Sequence, residues 1–166
     1  GALAVGQTLV VRFPRQIHEV KEGETLSSIA TAYGVSLRQL WQNNWSLGGG
    51  SLVRPGDTLV ISSVSDLLGD AVFNGYAYPY IEQDLLFSEV PFLSYLSLFT
   101  YGISADGHLL PLNADALLTA ARTHGTQPVM HLSTFTENDQ FDTDRAKLVL
   151  TDSAVQDQLV QEIQYT

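Results

Sequence analysis

The hexapeptide Gly6-Gln7-Thr8-Leu9-Val10-Val11 returns fifty positions later as Gly56-Asp57-Thr58-Leu59-Val60-Ile61. In both copies a glycine turn runs into a β-branched apolar stretch, the pattern of a turn followed by a short strand. Whatever lies between the copies must therefore fit within one structural repeat. Residues 17–61 meet that demand. Ile17-His18-Glu19-Val20 alternates as a strand, and Lys21-Glu22-Gly23-Glu24 is turn chemistry. Leu26, Ile29, Ala30 and Tyr33 stand at helical spacing after Thr25, with Gly34 as the stop. Ser36 is placed to cap a second helix carrying Leu37, Leu40 and Trp41 on one face, closed by Asn43-Asn44. After Gly48-Gly49-Gly50, the turn Val53-Arg54-Pro55-Gly56-Asp57 leads into a closing strand, Thr58 to Ile61. The expected order is βααβ.

That frame resembles the LysM module. The family's V-x-x-G-[DE]-T-L-x-x-I-A-x-x-[YF] is met by Val20, Gly23, Glu24, Thr25, Leu26, Ile29, Ala30 and Tyr33. Its L-x-x-x-N is met by Leu40 and Asn44, and its P-G-x-x-L-x-I by Pro55, Gly56, Leu59 and Ile61. Glu24 stands where Asp is commoner. The resemblance implies a small β-sheet with two helices on one face, and a shallow groove for N-acetylglucosamine-containing glycans, peptidoglycan or chitin. The groove would be lined by Gly23, Glu24, Thr25, Leu26 and Ser27 from one loop and Leu52, Val53, Arg54, Pro55 and Gly56 from the other. The same glycines and proline also suffice to build turns, and Thr25 to cap a helix. Trp41 reads as core, while Trp45 suits either a stacking platform for a sugar or a lid on the core. Residues 1–16 look like the closing turn and strand of a preceding LysM copy plus a linker.

A Ser-containing joint, residues 62–70, separates this module from a differently patterned second half. Ala71 to Tyr78 reads as a strand ended by Pro79, and Asp84 to Glu89 as a short helix. Leu93 to Ile103 is a strand buried on both faces, and Asn113 would cap a helix running through Ala121 to a stop at Gly125. Pro128 to Ser133 reads as a third buried strand, and Ser153 would cap a last helix carrying Val155, Leu159 and Ile163. Three β-α units in succession predict a parallel sheet.

Asn74-Gly75-Tyr76-Ala77-Tyr78-Pro79, then Leu96-Ser97-Leu98-Phe99-Thr100-Tyr101-Gly102-Ile103, then Asp106-Gly107-His108-Leu109 are similar to the opening of glycoside hydrolase family 18. They look most like its LysM-bearing bacterial branch of spore-cortex-lytic N-acetylglucosaminidases. The resemblance implies that residues 71–166 are the first three β-α units of a (β/α)8 TIM barrel. The fold class expected for the whole chain is therefore mixed α/β, a LysM module plus an incomplete barrel. Such a barrel needs about 250 residues, so the sequence reads as the N-terminal piece of a longer enzyme whose unclosed sheet edge could seek a second copy. The resemblance further implies a cleft at the strand ends lined by Tyr76, Tyr78, Phe99, Tyr101 and His131, although strand alternation sends some of these to the core.

The family's chemistry requires D-x-x-D-x-D-x-E. The nearest stretch, Asp139-Gln140-Phe141-Asp142-Thr143-Asp144-Arg145-Ala146, has Ala146 where the acid belongs and polar residues where a barrel strand would be apolar. It reads instead as a solvated acidic loop, and it lacks the central Gly and terminal Glu of a calcium loop. No catalytic residue is expected in this chain, and the catalytic strand is expected beyond Thr166. His18, His108, His124 and His131 show no metal-ligand spacing, and no cofactor or metal is expected.

The formal net charge of −10 sits mainly in residues 62–166, which hold three bases against fourteen acids. With no basic stripe, nucleic acid is not an expected partner. No apolar run reaches the roughly 20 residues that cross a bilayer, and residues 1–10 do not read as a secretory leader. The expectation is a cell-wall or spore-cortex glycan hydrolase fragment, inactive alone. The alternative is a non-catalytic glycan-binding or structural cell-wall protein.

Overall fold

The computed structural model describes residues 12–48, 50, 52–64, 71–136 and 140–166. The proposed earlier repeat copy at residues 1–11, most of the joint at residues 62–70, and Asp139 lie outside them. The chain divides into two compact units, Gly1–Ala71 and Val72–Thr166.

In the first unit the order is β1 (Phe13–Glu19), α1 (Leu26–Tyr33), α2 (Leu37–Asn43) and β2 (Thr58–Val64). β1 pairs antiparallel with β2, from Phe13 opposite Val64 to Glu19 opposite Thr58. Local chemistry fixes each helix end. Thr25 and Ser28 form a reciprocal capping box at the start of α1, and Gly34 ends it in the left-handed conformation at φ 66°. Ser36 caps α2 by accepting from the amide of Gln39. The apolar faces of both helices then meet one face of the β1–β2 pair, burying Val20, Leu26, Ile29, Ala30, Leu40, Trp41, Leu59 and Ile61 in one cluster. Burial of side chains this size stabilises by about 1.5–3 kcal/mol each, which a unit so small needs against its chain entropy.

Asn44 ties the helical pair to the sheet. Its Nδ2 donates to the carbonyls of Leu40 and Val60, and its Oδ1 accepts from the amide of Val60, at 2.8–2.9 Å. An asparagine side chain thus completes a backbone edge where no third strand pairs with β2 among the described residues.

The second unit contains β3 (Asn74–Ala77), α3 (Gln83–Glu89), β4 (Tyr95–Ile103), β5 (Leu109–Leu110), α4 (Asp115–His124), β6 (Gln127–Leu132), α5 (Thr143–Thr151) and α6 (Ser153–Gln164). β4 is central, with β3 and β6 parallel to it on either side. The parallel strands therefore lie side by side in chain order. Leu96, Leu98 and Tyr101 of β4 join Ala77, Leu86, Val90, Leu117, Ala120 and Ala121 in the core beneath α3 and α4. Gly102 lies in β4 because a Cβ there would stand 2.6 Å from the backbone carbonyl oxygen of Phe135.

Several expectations are corrected here. β3 is shorter than the strand expected over residues 71–78, starting at Asn74 and ending at Ala77. α4 has Ala114 at its cap position with no side-chain cap bond, not Asn113. Asp152, not Ser153, caps α6, its carboxylate accepting from the amides of Ala154 and Val155. The stretch expected as an acidic loop turns helical at Thr143. Asp142 caps this helix, α5, by accepting from the amides of Asp144 and Arg145. β6 is not a buried strand: its residues alternate between exposed and half-buried, because helix cover reaches one face and no strand pairs with its outer edge among the described residues.

α6 is held to β5 by charge. Glu162 accepts from the amide of Leu109 at 2.6 Å, and its other oxygen lies 2.7 Å from His108 Nδ1. That nitrogen is also 2.6 Å from Nε2 of Gln158, so it accepts from the amide when neutral and donates to Glu162 when protonated. The Glu162 carboxyl is held below its ordinary 4.5, chiefly by the Leu109 amide and then by His108, while Glu162 holds His108 above its ordinary 6.5. A lowered carboxylate stabilises above its ordinary value and fails as pH falls through the lowered one. A raised histidine stabilises below its ordinary value and fails as pH rises through the raised one. Amide-exchange protection in α6, corrected for intrinsic rates, is therefore expected to be highest between about pH 4.5 and 6.5. It should fall on either side and weaken in high salt. A profile unchanged by Glu162→Gln would contradict this.

Candidate functional site

Two places gather chemistry-bearing residues, one in each unit. In the first, the loops on either side of the sheet end meet at Val20. Its amide donates to the carbonyl of Asp57 and its carbonyl accepts from the amide of Gly56, both at 2.8 Å. Each loop also closes on itself. The Glu24 amide donates to the Lys21 carbonyl at 3.2 Å, and the Arg54 amide donates to the Asp57 carboxylate at 2.7 Å. Gly23 and Gly56 take φ of 80° and 92°, which β-branched residues rarely adopt. The result is a pair of turns pinned at one point.

The expected groove residues divide by exposure. Gly23, Thr25, Ser27, Leu52, Arg54, Pro55 and Gly56 are exposed, and Glu24 and Val53 are half-buried. Leu26 is only 2% exposed and belongs to the core, so its side chain cannot line a groove. Val53 packs against the same core from the rim. Trp45, 78% exposed, is no lid. Trp41 is buried and donates to the carbonyl of Gly50. The described residues of these loops present backbone amides, the Arg54 cation, the Thr25 and Ser27 hydroxyls and the apolar tip of Leu52.

Glu24 is more constrained than spacing alone suggests. Its Oε2 accepts from the Lys21 amide and from His18 Nε2, both at 2.7 Å, and His18 Nδ1 lies 3.0 Å from the Tyr33 hydroxyl. The Lys21 amide first, and His18 second, hold the Glu24 carboxyl below its ordinary value. His18 and Tyr33 were not among the expected site residues. The available signal was parity: His18 is two residues before the buried Val20, so a strand sends both inward, and a polar group turned inward needs a partner.

In the second unit, the sheet face turned away from α3 and α4 carries a run of rings. His131 contacts Tyr76 and Phe99 at centroid distances of 5.5 and 4.9 Å, and Phe99 also contacts Tyr78 at 4.8 Å and Phe135 at 6.1 Å. Tyr80 stacks on Tyr78, and Phe141 meets Phe135 edge-on. Four of the five expected cleft residues thus come together. Tyr101 does not: at 6% exposure it lies in the core on the opposite face. The register with β6 shifts between Leu98 and Tyr101, which reverses the alternation that would have put Tyr101 beside Phe99. Thr100 Oγ1 lies 3.0 Å from both Nδ1 and the carbonyl of His131, and 2.9 Å from Ser133 Oγ. Thr100 has one hydroxyl proton, for which the carbonyls of His131 and Tyr101, Nδ1 of His131 and Oγ of Ser133 are the acceptors within reach.

Among the described residues, no group of three or more His, Asp or Glu side chains is placed to hold a metal ion. No helix among them is long and apolar enough to cross a membrane.

Comparison with known proteins bears on the first site directly. Residues 18–62 match the LysM domain. The two loops pinned at Val20 are loops of that LysM domain. Two solved structures are similar to the chain as a whole. One is the Bacillus cereus spore cortex-lytic enzyme SleL, at 25% identity and a TM-score of 0.52, matching 89% of this chain and 35% of that one. The other is SleL of Bacillus megaterium QM B1551, at 25% identity and a TM-score of 0.51, with the same coverage. The chain therefore spans 35% of the length of these enzymes. No curated protein matches it.

Proposed function

We propose that the chain binds N-acetylglucosamine-containing glycans through the loops of its LysM domain, and that it forms part of a cell-wall or spore-cortex glycan hydrolase of the family 18 type. The observation that carries this is the pairing of a LysM match at residues 18–62 with two exposed, glycine-bearing turns joined at Val20. The likeness to SleL supports the hydrolase relationship and a location outside the cytoplasm. Chain-order parallel pairing of β3, β4 and β6 agrees with the opening of a (β/α)8 barrel, in which strands wind singly. Tyr76, Tyr78, Phe99 and His131 would then stand on the inward face and accept a sugar ring. That residues 1–166 hold no accepted D-x-x-D-x-D-x-E stretch favours a second reading, glycan binding without turnover by this chain.

Calorimetry of the 166-residue chain with chitohexaose, alongside co-sedimentation with purified peptidoglycan, tests the binding. Gly23→Val is the sharper variant. A Cβ there meets nothing within 4 Å, so the cost it brings to the fold is backbone strain. At φ 80° that strain is about 1–2 kcal/mol, and chitohexaose affinity is expected to fall roughly tenfold. Circular dichroism should show residues 72–166 still folded. Unchanged affinity would remove the first loop from the groove.

A further inference from the structure

We propose that His18 is a positioning residue for the glycan loop, holding it through Glu24, and that protonation of His18 tightens the loop so that glycan affinity rises on mild acidification. The proposal rests on the groove reading above and adds its regulation. His18 stands in β1, its side chain 11% exposed, with Glu24 on one ring nitrogen and Tyr33 on the other. Glu24 can only accept while ionised, so Nε2 carries a hydrogen in either state of the ring. When the ring is neutral, Nδ1 accepts from the Tyr33 hydroxyl. When the ring is charged, Nδ1–H donates to the same oxygen. No hydrogen bond is lost on protonation, and the one to Glu24 becomes an ion pair, of the shorter and stronger charge-assisted kind.

The surroundings permit that gain. The loop contributes Glu24 and Lys21, α1 contributes Tyr33, and β2 places Leu59 opposite His18 in register. Asp57, near the start of β2, is engaged by the amide of Arg54, and Glu19 on β1 is exposed. Glu24 is the anion in contact, and its carboxyl is held below its ordinary value, first by the Lys21 amide. The same Oε2 that meets His18 holds the Lys21 amide. A tighter His18 bond is therefore a tighter turn at Lys21–Glu24, next to Gly23 and Thr25. An ordered loop loses less freedom when a glycan binds.

The test is calorimetry of the full chain with chitohexaose at pH 5.5 and pH 7.5. Wild type is expected to bind about fivefold tighter at the lower pH, the low end of couplings between sites. His18→Gln keeps a donor of similar reach without the titrating charge and is expected to bind near the wild-type pH 7.5 level at both values. Measurable binding that is flat with pH in wild type, or a wild-type profile surviving in His18→Gln, overturns the proposal and leaves the groove reading standing. No binding at either pH removes the groove reading, and the proposal with it. Should His18→Gln fail to fold, NMR of the wild type decides: the Lys21 amide must shift with pH in step with the His18 ring signals, and independent titration overturns the proposal.

Discussion

Replacing Asn44 with leucine is expected to unfold the LysM domain and abolish chitohexaose binding while the second unit stays folded. Leucine matches the volume but makes none of the three bonds that Asn44 gives to Leu40 and Val60. The amide and carbonyl of Val60 would lose these partners in a half-buried setting, at up to about 1–3 kcal/mol each. Two such penalties approach the whole stability of so small a domain, which by size scaling is marginal. Trp41, buried against the same cluster, reports the loss: its fluorescence should shift to that of a solvated indole at 25 °C without denaturant. Retention of a buried Trp41 signal would show that water can replace the asparagine.

Gly102→Val is expected to have the largest effect in the second unit. The added Cβ would lie 2.6 Å from the Phe135 carbonyl oxygen and 3.1 Å from a methyl of Leu110. The leucine can turn, but the carbonyl is backbone in the segment that returns beneath β4. Overpacking of this kind costs about 1–3 kcal/mol. Because Phe135 touches Phe99 and Phe141, its displacement should also loosen the ring cluster. Urea unfolding should show a lower midpoint for the second unit, and aromatic NMR signals of Phe99 and Phe135 should broaden or move. The first unit, with a separate core, should be unaffected.

How much of this was legible beforehand follows the range of the forces involved. In the first unit the decisive signals are local. Thr25, Gly34 and Ser36 act on backbone within four residues of themselves, and they cap and stop helices as their spacing implies. Errors arise where two local signals compete or where tertiary context decides. Asp152 and Ser153 are both good cap residues, and the carboxylate one place earlier takes the position. α5 buries no residue fully, so it lacks the apolar stripe that would have announced it, and only Asp142 at its start marks it.

Tyr101 shows the same limit in a strand. Simple alternation puts it with Phe99, and only the pairing with β6 reveals the register shift that turns it to the helix-covered face. The His18–Glu24–Tyr33 contacts join three elements and follow from no single spacing. The ring cluster was partly visible as aromatic residues near strand ends, but Phe135 and Phe141 enter it through an isolated bridge between two loop residues, which no periodicity encodes.

The flanks of the three-stranded parallel sheet are unequal. β3 is four residues long and includes a glycine, whereas β6 is six residues long with its outward amides and carbonyls unmatched by any described strand. Each outer edge lacks a partner strand among the described residues, the shorter at β3 and the longer at β6. In the proposed barrel the next strand would lie along β6 and the last along β3, so growth starts at the longer edge and closure falls on the shorter one.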